Sequence, residues 1–268
     1  MRVQLTPLPD RPILELVGES KLVCVGDLHI GLEHEMRLNG VHVPSQTHRM
    51  EGQLLEVAPG HDGIVILGDV KHMVPGSSRQ EFREVPQFFR ALLKAYPRVM
   101  VVRGNHDTRL EEMLPDAVEM HPASGLVLED VGFVHGHTWP SDEVMRSRVL
   151  VLGHNHPAVL FEDGLHTSAV ERCWVRAKFR PGPQERYQHL PEEVIMVPPL
   201  NPGLRGSPIN FQGPRLLGPI FSKDMIELES ARVYLLDGIY LGTVADLRVE
   251  RRGKWKRYAD SPSSDDEK

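Results

Sequence analysis

Five short polar segments, each directly behind a run of apolar residues, constrain this chain more than any other feature. They are Gly26-Asp27-Leu28-His29, Gly68-Asp69, Gly104-Asn105-His106-Asp107, His135-Gly136-His137 and Gly153-His154-Asn155-His156. The runs before them are residues 22–25, 64–67, 99–102, 132–134 and 149–152. They are short, unbroken and rich in Val, Leu and Ile, as strands covered on both faces are. A fold that satisfies all five brings several strand ends together with Asp, His and Asn gathered there. Helical stretches alternate with the first strands. Residues 48–58 form one, with Ser45 or Thr47 as its N-cap and Pro59-Gly60 as its stop, and residues 80–95 form a second, strongly amphipathic one. Strand, helix, strand, helix, strand up to the third segment predicts a layered α/β fold.

Two short strands, residues 2–8 and 13–17, lead into this core. After Arg109 the chain becomes strand-rich. Residues 125–128 and 131–134 read as a hairpin and 141–147 as a short helix. Strands follow at 149–152, 174–179, 194–198, 232–236 and 239–245. Asp237-Gly238, between the last two, is the signature of a type I′ hairpin turn. Residues 181–191 and 198–219 read as Pro/Gly-rich loops. No internal repeat and no clean linker divides the chain, so residues 1–250 are expected to form one domain of two sheets with helices outside. Residues 251–268 are basic and then acidic, the composition of a disordered tail. The basic run 248–257 reads either as a solvated terminus or as a grip on a phosphate backbone.

Composition narrows the classes. In 268 residues, 25% charged and 40% hydrophobic, there is enough chain to bury a full core. A net charge of −6 excludes binding of nucleic acid by overall charge and leaves only a local patch or metal centre for that purpose. The 14 His residues are the oddity, and the polar segments account for several of them. Cys24 and Cys173 sit in apolar surroundings and read as two buried thiols rather than a disulfide. No signal peptide is evident and no apolar run approaches the ~20 residues needed to span a membrane. The expected location is the cytoplasm.

Asp27 and His29 are two residues apart, so at a strand end they point the same way and can meet one cation. His154 and His156 repeat that spacing. Asp69, behind a fully apolar strand, needs a strong partner such as a metal. Asn105 offers a neutral carbonyl oxygen. A set of Asp, His and Asn without Cys suits Mn2+, Zn2+ or Fe2+ and is too rich in nitrogen for a Ca2+ or Mg2+ cage. Taken singly, each segment has a plain reading as a turn or a cap. Their joint order predicts a dinuclear site.

The set resembles the calcineurin-like metallophosphoesterases, whose signature runs Asp-x-His, Gly-Asp-x-x-Asp, Gly-Asn-His-Asp/Glu, His and Gly-His-x-His. The resemblance covers residues 21–158. It implies a four-layer α-β-β-α sandwich of two mixed sheets flanked by helices, with the site at the strand ends. It also implies that Asp27, His29 and His156 hold one metal, that Asn105, His135 and His154 hold the other, and that Asp69 bridges them. Mn2+ is the expected ion, with Zn2+ or Fe2+ as alternatives. Two ions bridged in this way stand roughly 3.5–4 Å apart, which suits activating water and clamping a phosphoryl oxygen. His106 would be the catalytic histidine and Asp107 the residue that orients it.

Two departures matter. His72 stands where the family has its second Asp, and the Asp-Arg-Gly of protein phosphatases is absent, which argues against a phosphoprotein substrate. More narrowly, Gly26-Asp27-Leu28-His29-Ile30-Gly31 resembles the opening of SbcD-type DNA-repair nucleases. Residues 67–72, 135–140, 153–159 and 235–238 are similar to SbcD-related archaeal phosphoesterases and to phosphoesterases associated with DNA ligase and helicase genes. The expected function is therefore a metal-dependent phosphodiesterase with DNA as a candidate substrate. The rivals are a small-molecule phosphatase or nucleotide pyrophosphohydrolase, and a scaffold subunit without chemistry. His106 and all seven expected ligands are present, which speaks against the scaffold. A helicase or ATPase partner and a homodimer are further expectations. His72, Arg103, His137 and Asn201 are candidate substrate contacts, Lys71 reads as a phosphate contact or a solvated loop residue, and Trp139 reads as packing or as a surface for a base.

Overall fold

The computed structural model describes residues 2–163, 167–181, 186–211 and 216–249. The tail and the basic run from residue 251 onward lie outside the described residues. The first sheet comprises β1 (Gln4–Pro7), β2 (Leu14–Val17), β3 (Lys21–Val25), β4 (Gly63–Ile66), β5 (Arg98–Val102) and β6 (Glu119–His121), in that spatial order. From β3 to β6 neighbours run parallel, and β1 and β2 close the other edge antiparallel. The apolar runs predicted to be covered on both faces are the centre of this sheet, and every residue of β4 is buried.

The second sheet holds β7 (Leu126–Leu128), β8 (Val131–Val134), β9 (Val149–Leu152), β10 (Pro157–Glu162), β11 (Ser168–Ala177), β12 (Glu193–Met196), β13 (Ser207–Pro208), β14 (Arg232–Leu235) and β15 (Tyr240–Thr243). Its order is β13-β10-β11-β12-β9-β8-β7, with β14 also on β11 and β15 beyond it. β8, β9 and β12 run parallel to one another.

Side-chain alternation sorts the core. In β3, Leu22 and Cys24 face the space between the sheets while Val23 and Val25 face the helices. Val149 and Val151 of β9 likewise face inward, with Leu150 and Leu152 on the outside. The inter-sheet core packs Cys24, Leu67 and Met100 against Phe133, Val151 and Trp174. Outside the first sheet lie α2 (Thr47–Val57) and α3 (Arg79–Ala95), and α3 buries Val85, Phe88, Phe89 and Leu92, one stripe at helical spacing. Among the described residues the outer face of the second sheet carries the four-residue α4 (Asp142–Met145) and α5 (Pro219–Ser222) with coil, a thin fourth layer.

Several expectations are corrected. α1 (Leu32–Leu38), β6, β10 and β13 are additional elements. Neither Ser45 nor Thr47 occupies the N-cap position of α2, although Ser45 Oγ accepts from Thr47 N, the first N–H of the helix, at 3.2 Å. Gln46 occupies the cap without a side-chain bond, and both hydroxyls donate to Glu84 Oε2, at 2.8 and 2.7 Å. The β14–β15 turn is not type I′, which needs two left-handed residues. Gly238 is left-handed (φ 89°) and Asp237 is not. Cys24 and Cys173 are free, buried thiols, as expected. Among the described residues no helix is long and apolar enough to cross a membrane.

Candidate metal centre

The polar segments sit at the C-terminal ends of β3, β4, β5, β8 and β9, where parallel strands of both sheets deliver their chains to one edge. The chain turns sharply there. Nine non-glycine residues among those described have positive φ, and five of them are candidate ligands: Asp27 (55°), His29 (40°), Asp69 (48°), His154 (68°) and His156 (44°). Such backbone costs roughly 1–3 kcal/mol per residue, and concentrating it here marks a site rather than a set of ordinary turns.

The loops hold one another. His29 N donates to Asp69 O at 2.8 Å, His106 N to Asp69 Oδ1 at 2.9 Å, and His154 N to both Asp27 carboxylate oxygens at 3.1 Å. Gly104 is indispensable to this contact, because a Cβ there would stand 2.2 Å from Asp69 Oδ1 and 2.3 Å from Asp69 N.

Three groups of donor atoms gather among the described residues, each within 4.8 Å: Asp27 with His29 and His156, Asp69 with His135 and His154, and His29 with His72 and His106, of which the first two contain carboxylates. Asn105 Oδ1 lies 3.0 Å from His135 Nε2, which is also 3.0 Å from His154 Nδ1. Asp69 Oδ2 stands 3.4 Å from His29 Nε2 and 3.4 Å from His135 Nε2, one member of each of the first two groups. The donors fit a pair of divalent cations. His29 Nε2 and His156 Nε2 are buried nitrogens with no hydrogen-bond partner, an arrangement that is costly unless something else takes the lone pair.

The charges follow the same logic. Burial pushes the Asp27 carboxyl up, but His156 and His135 outweigh it and leave it below its ordinary value. Burial is likewise outweighed at Asp69, which His135 and His29 hold well below. Burial lowers His29 to about 4 against the pull of Asp69, and lowers His154 to about 3 with the help of the His135 charge. At His135 burial opposes the charge, yet Asp69 and Asp27 raise it to about 9.

Other site candidates find different partners. The Asp107 carboxylate accepts from Val70 N and Gly104 N, both at 2.8 Å, and the ring of His106 is held instead by the His72 carbonyl, 2.5 Å from Nδ1. Burial and the Asp69 charge raise Asp107 to about 6. Asn201 is buried and braces the first loop from behind: its Nδ2 donates to Leu28 O at 2.7 Å, and its Oδ1 accepts from Gly203 N. Arg103 is tied to the Asp107 carbonyl and to Glu111. Lys71 is neither solvated nor turned to the site, since it is fully buried and donates to Met73 O and Gly76 O. His137 does border the centre, 5.2 Å from His135 between ring centroids, and its Nδ1 is buried without a partner. Trp139 packs against the outer core and Tyr187.

Sequence reasoning missed Glu35 and Glu81. Glu35 of α1 meets His72 Nε2, and nothing in its exposed, short helix announced this. Buried Glu81 accepts from His72 N, Met73 N and Ser78 N. Its place in Ser78-x-x-Glu81, the spelling of a capping box, was a usable signal.

The profile of calcineurin-like phosphoesterases matches residues 20–197. This chain belongs to that family. Calcineurin-like phosphoesterases use divalent metals, and the paired Asp/His groups suit that requirement. Among solved structures, the Pseudomonas putida nuclease MPE is 18% identical, covering 87% of this chain and 96% of that one, with a TM-score of 0.47. Yfce, a phosphoesterase from E. coli, is 20% identical, covering 84% and 98%, with a TM-score of 0.40. A Vps29 mutant from Entamoeba histolytica is 16% identical over 53% and 68%, with a TM-score of 0.29. No curated protein sequence matches the chain. The family and the fold make the protein a metal-dependent hydrolase of phosphoesters.

Proposed function

We propose that this calcineurin-like phosphoesterase hydrolyses phosphodiesters, with DNA as its substrate class and Mn2+ as the working ion. Asp27, His29 and His156 would hold one ion and Asn105, His135 and His154 the other, with Asp69 available to both. The observation that carries this reading is the equal 3.4 Å approach of Asp69 Oδ2 to His29 Nε2 and His135 Nε2, since a carboxylate shared by two donor sets is what a two-metal site requires. When bound, such a pair supplies Lewis-acid polarisation of phosphoryl oxygen and a water acidic enough to serve as nucleophile near neutral pH.

The chain's own groups do the rest. His106 Nδ1 faces the His72 carbonyl, which can only accept, so Nδ1 keeps a proton and Nε2 is the working atom. As an imidazolium the ring donates from Nε2 to the departing oxygen. Its backbone N–H is bonded to Asp69 Oδ1, which ties the backbone of His106 to the centre. Asp107 closes that loop on Val70 and Gly104 and so places His106 through the backbone. The choice of DNA rests on the SbcD-like segments.

Turnover of bis(4-nitrophenyl) phosphate beside 4-nitrophenyl phosphate, with added Mn2+, tests the reading. Diester turnover should need the metal and fall about 10²–10⁴-fold in His106→Ala. Preference for the monoester would replace this reading with a phosphatase. Loss of neither substrate's turnover in the variant would remove His106 from the chemistry.

A further inference from the structure

His29 presents its two ring nitrogens in different directions. Nε2 is turned to the centre and has no hydrogen-bond partner. Nδ1 lies 3.0 Å from His72 Nδ1. His72 in turn sets its Nε2 against Glu35 Oε2 of α1. Only one arrangement of protons satisfies the row, given a His29 that offers the Nε2 lone pair to a cation. His29 then carries its proton on Nδ1 and donates it to His72 Nδ1. His72 is therefore protonated on Nε2 and donates to the carboxylate of Glu35. The backbone of His72 is already fixed on both sides, its N–H on Glu81 Oε1 at 2.9 Å and its carbonyl on His106 Nδ1. What remains free is the ring, and Glu35 holds it.

We propose that Glu35 is a positioning residue for the metal-holding imidazole of His29, acting through His72. The inference rests on the two-cation reading above and extends it to a helix outside the family's motifs. A carboxylate at the end of the row makes His72 Nδ1 the better acceptor, fixes the tautomer of His29 and strengthens Nε2 as a ligand. This gives His72 a holding role in place of the substrate contact expected from sequence. It also explains why an imidazole can occupy a position where the family has a carboxylate: the negative charge has moved to α1.

Outer partners of this kind are worth about 10–100-fold in metal affinity, and the half-exposed Glu35 belongs at the lower end. Calorimetric titration of the metal-free protein with Mn2+ should therefore show one of two sites weakened about tenfold in Glu35→Ala, with the other unchanged. Leu38→Ala alters the exposed end of the same helix while preserving it, does not touch Glu35 or His72, and should leave both sites as they are. Long-range 1H–15N spectra of the protein loaded with diamagnetic Zn2+ should give His29 as the Nδ1–H form and His72 as the Nε2–H form, with His72 becoming a mixture in Glu35→Ala. Unchanged affinities in Glu35→Ala, or equal weakening in Leu38→Ala, overturn the proposal. Asp69→Asn separates the two failures. Mn2+ binding that needs Asp69 but not Glu35 sinks the relay alone, whereas wild-type protein that binds no Mn2+ sinks the two-metal reading with it.

Discussion

Gly104 shows how little room the centre leaves. Its missing side chain is the space that Asp69 fills, so Gly104→Ala drives a methyl into a carboxylate and its backbone. The expected result is a loss of about 1–3 kcal/mol in stability, the cost of overpacking, together with weakened Mn2+ binding. Chemical denaturation and calorimetry on the same variant measure the two effects. Lys71 makes the complementary case. Close to Asp69 in sequence its charge looks functional, yet both of its hydrogen bonds go to backbone carbonyls, of Met73 at 2.6 Å and Gly76 at 2.7 Å. Lys71→Met should cost about 2 kcal/mol by leaving those carbonyls unmatched, while the KM for whichever phosphoester the protein turns over stays unchanged. A raised KM would return Lys71 to the substrate.

At the scale of elements, α3 anchors the loop that carries His72. Ser78 Oγ accepts from Glu81 N, and the Glu81 carboxylate accepts from three backbone N–H groups, one of them that of His72. Ser78→Ala should cost about 1 kcal/mol in thermal unfolding, the usual worth of a cap, and leave the metal centre intact. Farther along, Glu84 ties α3 to α2 by accepting from Ser45, Thr47 and Gln80. Burial raises its pKa, but Arg83 and these hydrogen bonds outweigh burial and hold it below 4.5. A depressed carboxyl stabilises the fold above its unfolded value and loses that contribution as pH falls through the folded one. Wild type should therefore be more stable than Glu84→Gln at pH 7, with the gap closing below about pH 4.5, as read from urea unfolding at several pH values.

For the whole molecule, the inter-sheet core decides whether the two halves of the centre meet. Phe133 is fully buried within it, beside residues of the first sheet. Phe133→Ala should cost about 3–5 kcal/mol and weaken metal binding too, because β8 and β9 carry His135, His154 and His156 on the far side of that core. The thiols report on the same integrity. Burial pushes both Cys24 and Cys173 above their ordinary pKa, and Cys24 lies in the inter-sheet core. Neither should react with a thiol reagent at pH 8 until the protein unfolds, and both should react in denaturant.

The strands that end in the centre were legible because unbroken apolar runs have few alternatives, and their polar ends were legible because Asp, His and Asn at two-residue spacing face one way. α1 and β6 were not, since short, mixed-polarity segments are set by what they pack against. The type I′ turn at Asp237-Gly238 failed for a related reason: the dipeptide allows that turn without requiring it, and here only Gly238 is left-handed. The sequence by itself determined the chemistry of the donors and the order in which strands deliver them. Only tertiary structure decided who supports them, giving His106 the His72 carbonyl rather than Asp107, setting Asn201 behind the first loop and bringing Glu35 to His72. Those contacts join residues 34 to 173 positions apart, and no local pattern records a hydrogen bond whose partner is chosen by packing.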